Sequence, residues 1–454
     1  MTDTAPQPHP WLRSFVDSPP VSDLLAQLGA QGHVLAEGAW GSSTTLIAGA
    51  LAARAQRPVL LVVAHLDDAD DAVGDLELFQ DAGYAIKPQR FGALEVLPGE
   101  SAVSLELLAE RLAVVESLGL SSSNPPSAIR NPQSVLVASI QALMQSVPEP
   151  ATLGEFCLTL ETGKTLPPGA LLEWLDRAGY KRTDAIEHPG DFATRGGIID
   201  IFAPSGLTTD ATTASEGPAA IRLDFFGDEI DSIGLIDLDS LGSSKKLKRF
   251  QLIGASAEKL QSEERTTNLI TLLPKDTIII LAEAMELAEQ ARGYFERLTD
   301  PRGIYGPQAV FKHLTQRPHI QIDQYSSSAR GSKVELFKLP ARTLASFDNE
   351  ASKAIKEIAE CSQPARPLPA AGRTPEVVIL CNKPAERDRL LELMHEHAPE
   401  AIARTAIEIG FLHRGFVWGE EGTERSGEAE ATKGPSDQAI KGKAKTDPLG
   451  GSVA

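Results

Sequence analysis

Long apolar runs are missing from this sequence. None reaches the roughly 18 to 20 residues that a helix needs to cross a bilayer. The longest candidate, Val59-Leu60-Leu61-Val62-Val63-Ala64, has the length of a strand. The amino terminus, MTDTAPQPHPWLRSF, lacks the charged start, apolar middle and small-residue cleavage site of a signal peptide. Together these absences predict a cytoplasmic protein without membrane contact. Cysteine is also scarce. Cys157, Cys361 and Cys381 lie far apart, which gives no disulfide framework and no zinc spacing. Reduced, buried thiols are the expectation. Positive charge is in deficit: the formal net charge is −19. An acidic chain does not draw DNA phosphates by its overall field, which argues against a free-standing DNA binder.

What is present is an ordinary globular composition, 42% hydrophobic over 454 residues, enough for two to four domains. Residues 1–140 alternate short apolar strands with helices, as in SVLVAS followed by IQALMQSV. That alternation predicts an α/β domain with a parallel sheet. The texture changes over residues 141–238: CLTLETG has the alternation of a half-buried strand, and PGALLEWLDRAGY reads as an amphipathic helix. FATRGGIIDIFAP and IRLDFFGDEIDSIGLID are strand-rich runs that imply an antiparallel or mixed sheet. We read this region as an α+β domain inserted into the first. The α/β pattern resumes over 239–345, a linker covers 346–375, a small α/β unit covers 376–418, and 419–454 reads as a disordered tail.

The most informative site is a damaged one. Between the first strand and its helix stands Ala36-Glu37-Gly38-Ala39-Trp40-Gly41-Ser42-Ser43. A phosphate loop needs G-x-x-x-x-G-K-[ST] in that strand–turn–helix context. Gly41 and Ser43 fit; Ala36 stands for the first glycine and Ser42 for the lysine. Serine brings no charge to neutralise β- and γ-phosphates. We read 36–43 as a degenerate nucleotide loop kept for its shape, and expect no catalytic residue, no metal and no cofactor in this chain. His395 and His397 are two apart and point to different faces of a helix. Asp67, Asp68, Asp70 and Asp71 read as a solvated helix start that suits the helix dipole.

Two segments carry a specific resemblance. One runs from Tyr180-Lys181-Arg182 to Phe192-Ala193-Thr194-Arg195-Gly196-Gly197-Ile198-Ile199-Asp200-Ile201-Phe202-Ala203-Pro204; the other is Ile221 to Ile233, IRLDFFGDEIDSI. The pair resembles the domain shared by UvrB and the bacterial transcription-repair coupling factors, where it binds UvrA. FGALEVLPGE with AERLAVVESL, the helix of Arg111, and IEIGFLHRGFVW are similar to further parts of the coupling factors' N-terminal half. UvrB is the nearest rival, but an active UvrB requires the intact phosphate loop. The resemblance implies a degenerate helicase-like domain and a recruiting role in nucleotide excision repair. It implies UvrA contacts by Arg195, with Arg182, Phe192, Ile198 and Phe202 as companions. In that family RNA polymerase, DNA, ATP and magnesium are engaged by later domains, which this chain stops short of, so we expect no enzyme activity from it. The alternative is an ATP-dependent DNA-remodelling enzyme of the UvrB or helicase type. Without the resemblance, Arg195 reads as a partner of Asp200, Asp224 or Asp228.

Overall fold

The computed structural model describes residues 9–94, 105–118, 133–149, 152, 156–208, 217–238, 243–254, 266–325, 335–344, 347, 350–361 and 377–419. Of the expected tail at 419–454, residues 420–454 lie outside them, as do residues 362–375 of the expected linker at 346–375.

A seven-stranded sheet forms the first layer, in the spatial order Leu336–Lys338, His33–Glu37, His319–Asp323, Ile278–Ala282, Val59–Val63, Ser134–Ser139, Lys87–Phe91. All its neighbours pair in parallel. A parallel sheet must bury both faces, and the neighbouring strands Ile278–Ala282 and Val59–Val63 are apolar throughout. In Val59–Val63, Leu60 and Val62 enter one core while Val59, Leu61 and Val63 enter the other. Helices Ser43–Ala55 and Leu66–Asp81 cover the second core, through Leu46, Ile47, Leu51, Leu76 and Phe79. Helices Leu105–Ser117, Ala284–Glu296 and Pro307–Thr315 cover the first. The edge strand Leu336–Lys338 is only three residues long, too short for a hydrophobic period.

The second sheet is almost wholly antiparallel and has eight strands, from Cys157–Glu161 to Arg249–Ile253. The sequence expectation places this unit at 141–238, whereas Ile140–Met144 packs in the parallel sheet's core. The long strand Ile198–Thr208 organises it. Along one edge it pairs first with Asp191–Arg195 and then with Arg249–Ile253; along the other it pairs with Gly217–Phe226. Glu229–Ile236 and Ser243–Leu247 follow outward. Ile199, Ile201, Ile221 and Leu223 form the core face, as alternation predicts. Helix Pro168–Arg177 closes that face with Leu171 and Leu175, which lie four apart and are both buried.

The small unit pairs Val377–Cys381 with Thr405–Ile409 in parallel. Helix Pro384–His397 and helix Ala351–Cys361 pack on it around Ile355 and Met394. Phe416–Trp418 then pairs with Ala341–Thr343, and both aromatic rings lie against Phe15.

Candidate functional site

Of the predicted contact residues, Arg195 and Ile198 lie at one end of the antiparallel sheet. Arg195 and Ile198 flank a two-residue turn, with Gly196 at φ +62° as such hairpins require. Phe226 and Glu229 flank a second turn, with Gly227 at φ +63°. The two turns are neighbours, because Ile198 pairs with Asp224 and the Phe225 amide donates to Gly197 O at 2.9 Å. A Cβ on Gly197 would stand 3.2 Å from Phe225 O, so glycine permits this approach.

Cross-strand register puts Arg195, Ile198, Asp224 and Ser232 in one row on the face opposite the core. The next row holds Ala193, Asp200, Arg222 and Gly234. Asp200 is taken by Arg222, in a bidentate pair at 2.7 and 2.8 Å, and Asp224 accepts from Ser232 Oγ at 2.7 Å. The Asp200 contact pushes the Arg222 guanidinium above its ordinary range. Arg195 is therefore left for the surface: it is exposed, and its guanidinium donates to Asp184 O at 3.1 Å. Arg182, also exposed, donates to Thr194 Oγ1 at 2.9 Å, beside Arg195.

The apolar expectations divide. Ile198 is exposed, as a contact residue must be. Phe192 and Phe202 are corrected: they are 2% and 8% exposed and belong to the sheet's two buried clusters. Alternation sends Phe192 to the helix-covered face, and Ile186 with Ala220 and Ile236 closes over Phe202. The exposed aromatic at this end is Phe226, at 84%. Sequence reading passed over it. Its signal was the Gly227-Asp228 turn after an alternating strand, which sets Phe226 at a hairpin tip.

The degenerate loop lies on the parallel sheet. Ala36 is the fourth residue of its strand and is buried, so it acts as core and not as part of the loop. Gly38 makes the turn at φ +93°, and Gly41 follows at φ +53°. Ser43 begins the helix and its hydroxyl accepts the Trp40 amide at 2.9 Å. Ser42 is 5% exposed. Beside the loop is a cavity of about 440 Å³, whose lining includes Asp68, Asp71, Asp75, Glu283 and Glu286. Burial raises the Glu283 carboxyl above its usual range, against a hydrogen bond from the Gln324 amide. Among the described residues there is no group of three His, Cys, Asp or Glu that could hold a metal ion.

Residues 158–257 match the family described as the UvrB interaction domain. This span contains Arg182, Arg195 and both hairpin tips. The chain also aligns with transcription-repair-coupling factors. It is 29% identical to that of Bacillus subtilis over 52% of this chain and 18% of the relative. It is 28% identical to that of Escherichia coli over 60% of this chain and 21% of the relative. It is 30% identical to that of Mycobacterium tuberculosis over 61% of this chain and 21% of the relative. The chain is a relative of the transcription-repair coupling factors. It spans about a fifth of the length of these coupling factors. Its UvrB interaction domain is the antiparallel sheet with the helix that covers it. Among the described residues no helix is long and apolar enough to cross a membrane.

Proposed function

We propose that the turn-bearing end of the antiparallel sheet docks UvrA, and that the chain recruits it for transcription-coupled nucleotide excision repair. The observation that carries this reading is Arg195. It sits exposed inside the matched domain, at a hairpin turn, with Asp200 paired to Arg222, Asp224 accepting from Ser232, and its own guanidinium donating to the Asp184 carbonyl. An arginine beside exposed apolar side chains, here Ile198 and Phe226, is a common hot-spot combination. Arg182 is exposed one strand outward, paired with Phe192 and bonded to Thr194, so it has the parity of the helix-covered face and flanks the hairpin end from the side opposite Arg195.

The parallel-sheet domain is read as helicase-like, with a loop that performs no nucleotide chemistry. Ser42 offers no cation to a phosphate, and in the adjoining cavity five carboxylates, Asp68, Asp71, Asp75, Glu283 and Glu286, outnumber Arg414 and two histidines. On this reading the chain alone is not an enzyme and needs no ATP, magnesium or other cofactor. Contacts with RNA polymerase and DNA are assigned to segments of the relatives beyond the aligned part, and the site of action to the cytoplasm.

The test is a titration of the purified chain against UvrA. Arg195→Ala should weaken binding by about 1–3 kcal/mol, leaving the thermal midpoint unchanged. Equal affinity of the variant and the unaltered chain removes Arg195 from the interface. Failure of the unaltered chain to bind UvrA at micromolar concentration removes the docking role itself.

A further inference from the structure

The loop at 38–43 is already occupied by the chain itself. Residues 410–415 leave the small unit's strand Thr405–Ile409 and lie against the loop before continuing into Phe416–Trp418. The Ser42 amide donates to Arg414 O at 2.9 Å, and the Arg414 amide donates back to Ser42 Oγ at 3.1 Å. At a helix N-terminus a bound anion accepts from such amides. Here a peptide carbonyl takes that place.

We propose that this loop is a receptor for the chain's own main chain, with residues 413–415 as its resident ligand. The fit is built from both sides. A Cβ on Gly41 would stand 2.5 Å from Gly415 O and 2.7 Å from Arg414 O, so glycine at φ +53° lets the strap seat. Gly74 does the same for the His413 ring, whose Cε1 would meet a Cβ at 3.0 Å. Asp75 accepts the His413 amide at 2.8 Å and faces its Nδ1 at 2.9 Å, while Asp71 faces Nε2 at 3.2 Å.

Ser42 thereby has a role of its own. Its hydroxyl accepts the Arg414 amide; a lysine ammonium has donors and no acceptor. The substitution that removes the phosphate-binding cation is the one that completes the strap. The space left beside the strap has five carboxylates in its lining against Arg414, His65 and His413, an excess of negative charge that disfavours a triphosphate. The strap therefore fastens the small unit to the parallel sheet through the loop. This inference does not depend on UvrA docking.

Amide hydrogen exchange on the full chain tests it. Ser42 and Arg414 amides should both be protected. His413→Ala and Gly41→Ala should each speed both by roughly tenfold or more, because local opening then needs less free energy. Amides of Val59–Val63 report in the same experiment whether the sheet is intact; if Gly41→Ala loosens it, His413→Ala, which lies outside the loop, decides. Millimolar Mg-ATP should leave Ser42 exchange unchanged. Free exchange of the Ser42 amide in the unaltered chain overturns the proposal. So does unchanged exchange in both variants, or slowing of Ser42 by Mg-ATP.

Discussion

At Arg111 a cation is buried with no carboxylate partner among the described residues. Its guanidinium stacks on the Phe91 ring, 4.1 Å from the centroid. It donates to Gly92 O at 2.6 Å, to Gln145 O at 3.2 Å, and to Ala142 O and Ser146 O at 3.4 Å. Burial draws its pKa down to about 9, so it remains charged at neutral pH. Carbonyl dipoles and the ring face stand in for a counter-ion. Arg111→Leu should cost about 3 kcal/mol in urea unfolding, because the loss of one side chain leaves several buried acceptors without partners. The residue scale also separates two phenylalanines that look alike in sequence. Phe226→Ala should reduce UvrA affinity by about tenfold with no loss of stability, as truncation of an exposed hot-spot aromatic does. Phe202→Ala should lose about 3 kcal/mol of stability instead, as a core truncation does. Paired unfolding and binding measurements check both.

Among the elements, helix Ser43–Ala55 shows how packing overrides propensity. Gly49 lies in its middle, where alanine would ordinarily favour the helix by about 1 kcal/mol. But a Cβ there would stand 2.4 Å from Cε2 of Phe79, a ring that is fully buried. Overpacking typically costs about 1–3 kcal/mol and should prevail. Gly49→Ala is therefore expected to lower the midpoint of denaturation; a raised midpoint would show that Leu66–Asp81 can move aside. The antiparallel sheet shows the same rule for strands. Period-two alternation correctly sends Ile199 and Ile201 inward, yet Phe202, on the opposite parity, is buried as well. Alternation names the face on which a side chain lies. It does not say whether another segment covers that face, and here Ile186 does.

At the scale of the whole molecule, charge and the occupied loop lead to one expectation. A chain of net charge −19 gains little from counterion release. It should leave duplex DNA unshifted in a gel at physiological salt. It should also turn over no ATP above background, with or without DNA. Ser42→Lys should not restore turnover: it removes the hydroxyl that accepts the Arg414 amide, but the bond from the backbone amide of residue 42 to Arg414 O does not need that hydroxyl and still occupies the loop. Sustained ATP hydrolysis by the purified chain would favour a remodelling enzyme over a docking module.

The sequence by itself determined the alternation that separates a parallel sheet from a largely antiparallel one, and it put Arg195 beside two glycines. These are local properties: a hydrophobic period and a residue type are written within about a dozen residues. Tertiary structure alone decided which aromatic is exposed, which carboxylate Arg195 leaves to Arg222, and what fills the loop. Each depends on segments far apart in the chain. Ser42 and Arg414, whose backbones meet across a separation of 372 residues, share no pattern that a reading along the sequence could join.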